Sequence, residues 1–251
     1  MASWDSELFL QAVRLKYHDP QKLGYAAQVP AIRHLDRLPL DTPVTFLVGE
    51  NGSGKSTLLE AIAVAAGFNP EGGTINFQFS TWDSHSPLWQ ALTLERGIHR
   101  PRTGFFLRAE SFYNVASEIE RLDREPGIGG RVIDSYGGRS LHGQSHGESF
   151  MALAFHRFGP RGLYLLDEPE AALSPQNQMG LLVRIRDLVE EGSQFIIATH
   201  SPLLMAFPGS TIYLIDEEGL HLTPYEQTPH YQLTRSFLEN PERMLGYLFQ
   251  E

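Results

Sequence analysis

The chain has 251 residues, 41% of them hydrophobic and 20% charged, with a formal net charge of −10 at pH 7 and no cysteine. That length suffices for a sizeable core in one domain, and the composition excludes a disordered or fibrous chain. The lack of cysteine excludes disulfides, thiolate metal sites and cysteine nucleophiles, while the acidic balance disfavours loose attraction to nucleic acid or anionic lipid.

In chain order, the opening MASWDSELF lacks a basic segment followed by an apolar one, and no later run is apolar for long enough to cross a bilayer. Direct membrane insertion is therefore not expected, and a cytoplasmic location is. VTFLV at 44–48 reads as a buried strand that runs straight into GENGSGKST at 49–57. Leu58, Leu59, Ile62 and Ala66 then recur at helical spacing. Residues 68–140 are less regular, and EPGIGGR and YGGR read as loop. The expectation is a single domain over 1–251 with an inserted, partly helical subdomain at about 68–160. Within it, Arg96, His99, Arg100, Arg102 and Arg108 form a basic cluster expected to be a solvated or subdomain-facing surface. Only 112 residues separate Lys55 from Asp167 (167 − 55), and they carry no heptads, so a long coiled-coil arm is excluded. Phe150, Leu153, Ala154 and Phe158 mark a second helix, headed by QSHGES at 144–149.

GLYLL at 162–166 is a second buried strand, followed by DEPEAALSP and a helix carrying Leu181, Leu182, Ile185, Leu188 and Val189. QFIIA at 194–198 runs into THSP, TIYLI at 211–215 into a hairpin through EEGLHL, and a closing helix is expected over 230–250. Strands followed by amphipathic runs predict an α/β fold whose mostly parallel core sheet is sandwiched by helices.

Three strand ends carry chemistry. In GENGSGKST, Gly49, Gly52 and Gly54 let the backbone approach an anion closely. The N–H groups of Gly49, Glu50, Asn51, Gly52, Ser53 and Gly54 can then wrap a β-phosphate at a helix N-terminus. Lys55 would bridge β- and γ-phosphates, Ser56 would offer its hydroxyl to Mg²⁺, and Thr57 would contact the α-phosphate. Asp167 and Glu168 stand at the carboxyl end of a strand, where parallel sheets form their ligand crevice. Asp167 suits Mg²⁺, and Glu168 suits a general base for an attacking water. A small-molecule kinase has no use for such an acid, and no Asn-Lys-x-Asp guanine contact occurs. His200 follows a third strand and could touch the γ-phosphate or hold the water.

GENGSGKST, QSHGES, LYLLDEPEAALS and ATHSP occur in the order and approximate spacing of the ATP-binding-cassette (ABC) ATPases, which the chain resembles. The resemblance implies a P-loop NTPase fold with ATP as substrate and Mg²⁺ as cofactor, and an ATP-dependent homodimer enclosing two nucleotides. It makes Lys55, Ser56 and Thr57 the Walker A residues, Asp167 and Glu168 the Walker B residue and catalytic acid, and His200 the switch histidine. QSHGES resembles the signature segment, through which Ser145 and Gly147 would reach the partner's γ-phosphate. Gln144, His146 and Glu148 depart from the usual Leu-Ser-Gly-Gly-Gln, and Ser174 replaces the usual Asp after Walker B. Gln78 and Glu110 are candidates for the Q-loop, and Tyr17 and Tyr25 for stacking on adenine. DEPEAALSP and the divergent signature look more like the SMC-, RecF- and OLD-type branch. The longer runs resemble stand-alone bacterial proteins predicted to be AAA-family or ABC-type ATPases. That implies a switch acting on a protein partner or a DNA transaction; the alternative is the ATP-binding subunit of a membrane transporter.

Overall fold

Val44–Gly49 is buried at every position, and its side chains alternate between two separate cores. A strand covered on both faces needs helices on both sides of its sheet. The computed structural model describes residues 8–74, 87–108 and 146–249. Its strands there are β1 (Leu10–Leu15), β2 (Arg37–Pro39), β3 (Val44–Gly49), β4 (Leu92–Arg96), β5 (Thr103–Arg108), β6 (Gly162–Asp167), β7 (Gln194–Ala198), β8 (Thr211–Asp216) and β9 (Gly219–Leu222). The main sheet has the order β5-β6-β7-β3-β8-β9, parallel throughout except for β9, which returns antiparallel from β8. A smaller antiparallel sheet has the order β2-β1-β4.

The longer helices are α1 (Lys55–Ala66), α2 (His146–His156), α3 (Pro175–Glu190), α4 (Pro229–Glu239) and α5 (Pro241–Leu248). Leu58, Leu59 and Ile62 of α1 share one core with Leu47, Leu165 and Ile196, on the face that also meets the small sheet. Phe150 and Leu153 of α2 and Leu181, Ile185 and Leu188 of α3 share the other core with Phe46, Tyr164, Phe195 and Ile197. The odd–even split along β3, β6 and β7 is the two-residue period of a strand read on both sides.

One buried amide joins the two sheets. Gln194 of β7 accepts at Oε1 from the backbone N–H groups of Phe9 and Leu10, both at 3.0 Å, and its Nε2 donates to the Leu10 carbonyl at 2.7 Å. Backbone polar groups at the sheet junction thereby find partners away from water.

Four expected strands lie where the sequence put them, as do the helices at 58–66 and 181–189; the helix carrying Phe150 ends at His156, two residues short of Phe158. The described residues of 68–160 supply elements to both sheets and to both cores. β5 is an edge strand of the main sheet, β4 belongs to the small sheet, and α2 packs in the main core, so the described part of this span is built into the domain on three sides. The basic cluster is divided as well. Arg108 pairs with Glu60 of α1 at 2.6 Å, whereas Arg102 precedes β5 at its other end, beside Arg161. The expected closing helix is two helices: Asn240 ends α4 and caps α5 through its side chain, and Pro241 cannot continue the α4 ladder. Neither helix contributes a buried residue.

Candidate functional site

β3, β6 and β7 lie side by side and parallel, so the residues following them share one edge of the sheet. After β3 the chain folds over Glu50–Gly54 and enters α1 at Lys55. Gly54 has φ 96°, and a Cβ there would stand 2.1 Å from Cγ1 of Val29, so this position takes glycine on both conformational and steric grounds. The buried Lys55 ammonium folds back onto its own loop, donating to the carbonyls of Gly49 at 2.8 Å and Glu50 at 3.0 Å. Burial lowers its pKa from the ordinary lysine value, opposed by the carboxylates of Glu168, Asp167, Glu170 and Glu50.

Asp167 ends β6 and is buried, with Oδ1 accepting from the Ser56 hydroxyl at 2.8 Å. Glu168, the next residue, adopts φ 48° and ψ 52°, a left-handed conformation that costs a non-glycine residue free energy. Its N–H still donates to Ala198 at the end of β7, so the strain lies in the turn that aims the side chain, and the sheet remains paired. Glu168 Oε1 lies 3.5 Å from Nε2 of His200, which stands just beyond β7. The His200 N–H donates to Glu170, tying the DEPE turn to the β7 exit.

A cleft of about 140 Å³ is lined by Tyr25, Val29, Asn51, Gly52, Gly54, Lys55, Ser56, Thr57 and Glu168. Thus Lys55, Ser56, Thr57, Asp167, Glu168 and His200 form one constellation with the loop 49–54. Ser145, Gln78 and Glu110 lie outside the described residues. Gly147 lies in the first turn of α2, where a Cβ would meet the Ala172 carbonyl at 2.9 Å and Asn177 Nδ2 at 3.4 Å. Ser174 caps α3 by accepting from the Asn177 N–H. Of the two tyrosines, Tyr17 is partly buried with the Lys22 ammonium 5.3 Å above its ring, whereas Tyr25 is 78% exposed and borders the cleft.

The donors fit a nucleotide with a divalent cation. Ser56 Oγ and Asp167 Oδ1 are adjacent hard oxygens, and among the described residues no cluster of three or more His, Asp or Glu could cage a metal alone. That pattern suits Mg²⁺, which completes its shell with water and phosphate. Ser53 Oγ, Glu170 Oε2 and His200 Nε2 are buried and make no hydrogen bond within the chain. Buried polar atoms of this kind call for a ligand or water.

Sequence reasoning missed His230 and Glu170. His230 Nε2 lies 3.2 Å from His200 Nδ1. The legible signal was Thr228-Pro229 directly before it, a helix-start pattern that puts residue 230 in a first turn.

A model described as "AAA domain, putative AbiEii toxin, Type IV TA system" matches residues 95–206, and one described as "AAA domain" matches residues 30–90. The thiamine import ATP-binding protein ThiQ of Ruegeria sp. is 30% identical over 222 residues, 80% of this chain and 87% of that protein. An ABC transporter ATP-binding protein of Haemophilus influenzae is 25% identical over 209 residues, 78% of each chain. Among solved structures, cbiO1 of Clostridium perfringens, part of the ABC transporter complex cbiONQ, superposes with a TM-score of 0.50 at 16% identity, over 98% of this chain and 100% of that one. With that cassette fold and a relative matched over most of its length, the chain belongs to the ABC-type P-loop ATPases and is an ATP-hydrolysing enzyme.

Proposed function

We propose that two copies of the chain enclose ATP with Mg²⁺, and that Glu168 takes the proton of the water attacking the γ-phosphate. The observation that carries this reading is the convergence of the Ser56–Asp167 pair, Glu168 and His200 on one phosphate loop. In it, the Glu50–Gly54 amides and Lys55 hold the β- and γ-phosphates, Lys55 exchanging loop carbonyls for phosphate oxygens. Thr57 contacts the α-phosphate, and Tyr25 stacks on adenine from the cleft rim. Ser56 and Asp167 hold Mg²⁺, which neutralises charge on the phosphates when bound. His200 orients the water and steadies the γ-phosphate as charge builds on it.

The second copy supplies Ser145 and Gly147. Supporting this, Gly147 backs onto Ala172 and Asn177 of its own chain, while no α2 residue is among the described residues that line the nucleotide cleft. Glu168→Gln removes the base and leaves the phosphate contacts, so ATP should stay bound while turnover falls about 10²- to 10⁴-fold. Light scattering with ATP and Mg²⁺ should then give twice the monomer mass; a strictly monomeric, ATP-loaded variant sinks the composite site, and unchanged phosphate release sinks the role of Glu168.

What the cycle drives has two readings. The divergent QSHGES signature and DEPEAALSP support a switch of the SMC-, RecF- or OLD-type branch, acting on a protein partner or DNA. The names of the curated relatives support the ATP-binding subunit of a transporter, and the net charge of −10 weighs against the DNA arm. Co-purification of a membrane protein from detergent extracts supports the transporter reading. Salt-dependent retention on duplex DNA supports the other.

A further inference from the structure

Two histidines from different elements meet beside the loop that follows β3, and only His200 lies in the ATHSP motif. His200 stands beyond β7 and His230 in the first turn of α4, with Nδ1 of the former 3.2 Å from Nε2 of the latter and ring centroids 5.4 Å apart. We propose that His230 is a positioning residue for ATP hydrolysis: its Nε2–H donates to His200 Nδ1 and thereby holds His200 with its own proton on Nε2, facing Glu168. The inference rests on the reading that His200 takes part in hydrolysis.

The tautomers follow from the acceptors. Glu168 Oε1 stands 3.5 Å from His200 Nε2 without a formed hydrogen bond, and because an ionised carboxylate can only accept, its charge favours an N–H over a lone pair on that nitrogen. A neutral imidazole with its proton on Nε2 has a lone pair on Nδ1, and a donor must meet it. His230 Nε2 is the group in place. For His230 to have one N–H and one lone pair it must be neutral, and burial, followed by the neighbouring His200 and Lys55, holds its pKa below the ordinary histidine value against the opposing pull of Glu50.

The frame around the pair is fixed by contacts that involve neither ring. Thr228 is fully buried, caps α4 by accepting from the Tyr231 N–H, and donates to the Tyr225 carbonyl. The Tyr225 hydroxyl donates to the Pro202 carbonyl, two residues past His200, and the Tyr225 ring packs on Tyr231 at 4.7 Å. The start of α4 and the exit of β7 are therefore tied together by contacts independent of the two rings. Without His230, the His200 ring is free to present a bare nitrogen to a developing negative charge.

The test uses the full-length protein and steady-state ATP hydrolysis. His230→Ala should lower kcat about 10- to 100-fold, the range for loss of a group that orients a working imidazole, with KM for ATP changed by no more than about twofold. His230→Gln, whose side-chain amide can donate to Nδ1, should recover most of kcat. In a His200→Ala background, His230→Ala should cost nothing further, because the two act through one ring. The inference is overturned if His230→Ala leaves kcat unchanged while His200→Ala is impaired, if the two losses add, or if Ala and Gln variants lose kcat equally with raised KM, the mark of a merely structural role. Wild-type turnover in His200→Ala would overturn the reading of His200 itself, and this inference with it.

Discussion

At the residue scale, the site is a set of charges that compensate each other, some of whose partners the proposed nucleotide would replace. Lys55 occupies the carbonyls of Gly49 and Glu50, so its removal costs phosphate contacts more than fold. Lys55→Ala should weaken ATP binding by about 1.5–3 kcal/mol, the range for hydrogen bonds to charged groups, as a nucleotide titration would measure. His230 has an acid-side consequence. Its folded pKa lies below the ordinary 6.5, so between that lowered value and 6.5 the unfolded chain binds a proton that the folded chain refuses. Stability is then complete above 6.5 and falls as pH drops through that window. In His230→Gln the melting temperature should fall less steeply below pH 6.5 than in the parent; parallel curves would refute the assignment.

At the element scale, the strands carry the burial and a few polar side chains fix how elements meet. Gln194 is the clearest case, since its amide serves three backbone groups at the entry to β1 of the small sheet from within the large one. Gln194→Ala leaves those groups without partners in a buried junction, and at about 1–3 kcal/mol for each unsatisfied group the variant should lose several kcal/mol. A denaturant titration should show the midpoint fall sharply; a midpoint near that of the parent would mean that water or another side chain takes over. The sequence presents Gln194 only as the polar first residue of a strand, because the need for it arises from β1, 184 residues earlier.

At the scale of the whole molecule, the two cores hold all the described buried hydrophobics except Leu8 and Ala12, and α4 and α5 lie outside both. Leu233 is 64% exposed, Leu238 72% and Leu248 70%, on helices with no buried residue. Leu238→Glu and Leu248→Glu should therefore shift stability by no more than about 0.5 kcal/mol, which thermal unfolding checks. The contribution of α4 lies at its other end, where Thr228 and His230 reach the β7 exit.

The chain by itself determined the buried strands at 44–48, 162–166, 194–198 and 211–215, the glycine-rich turn after the first of them and the helices behind them, because each is a contiguous run whose period or spacing states its environment. It also determined which ionisable residues end those strands. What only the tertiary structure decided was every relation between distant segments: the pairing of β1 with β4, the place of β5 at the edge of the main sheet, and the meeting of Ser56 with Asp167. The contact of His200 with His230 belongs with them. A hydrophobic period records that a residue is covered and is silent about what covers it. The partners of a short strand or a lone histidine are set by how whole layers pack, and local sequence carries no term for that.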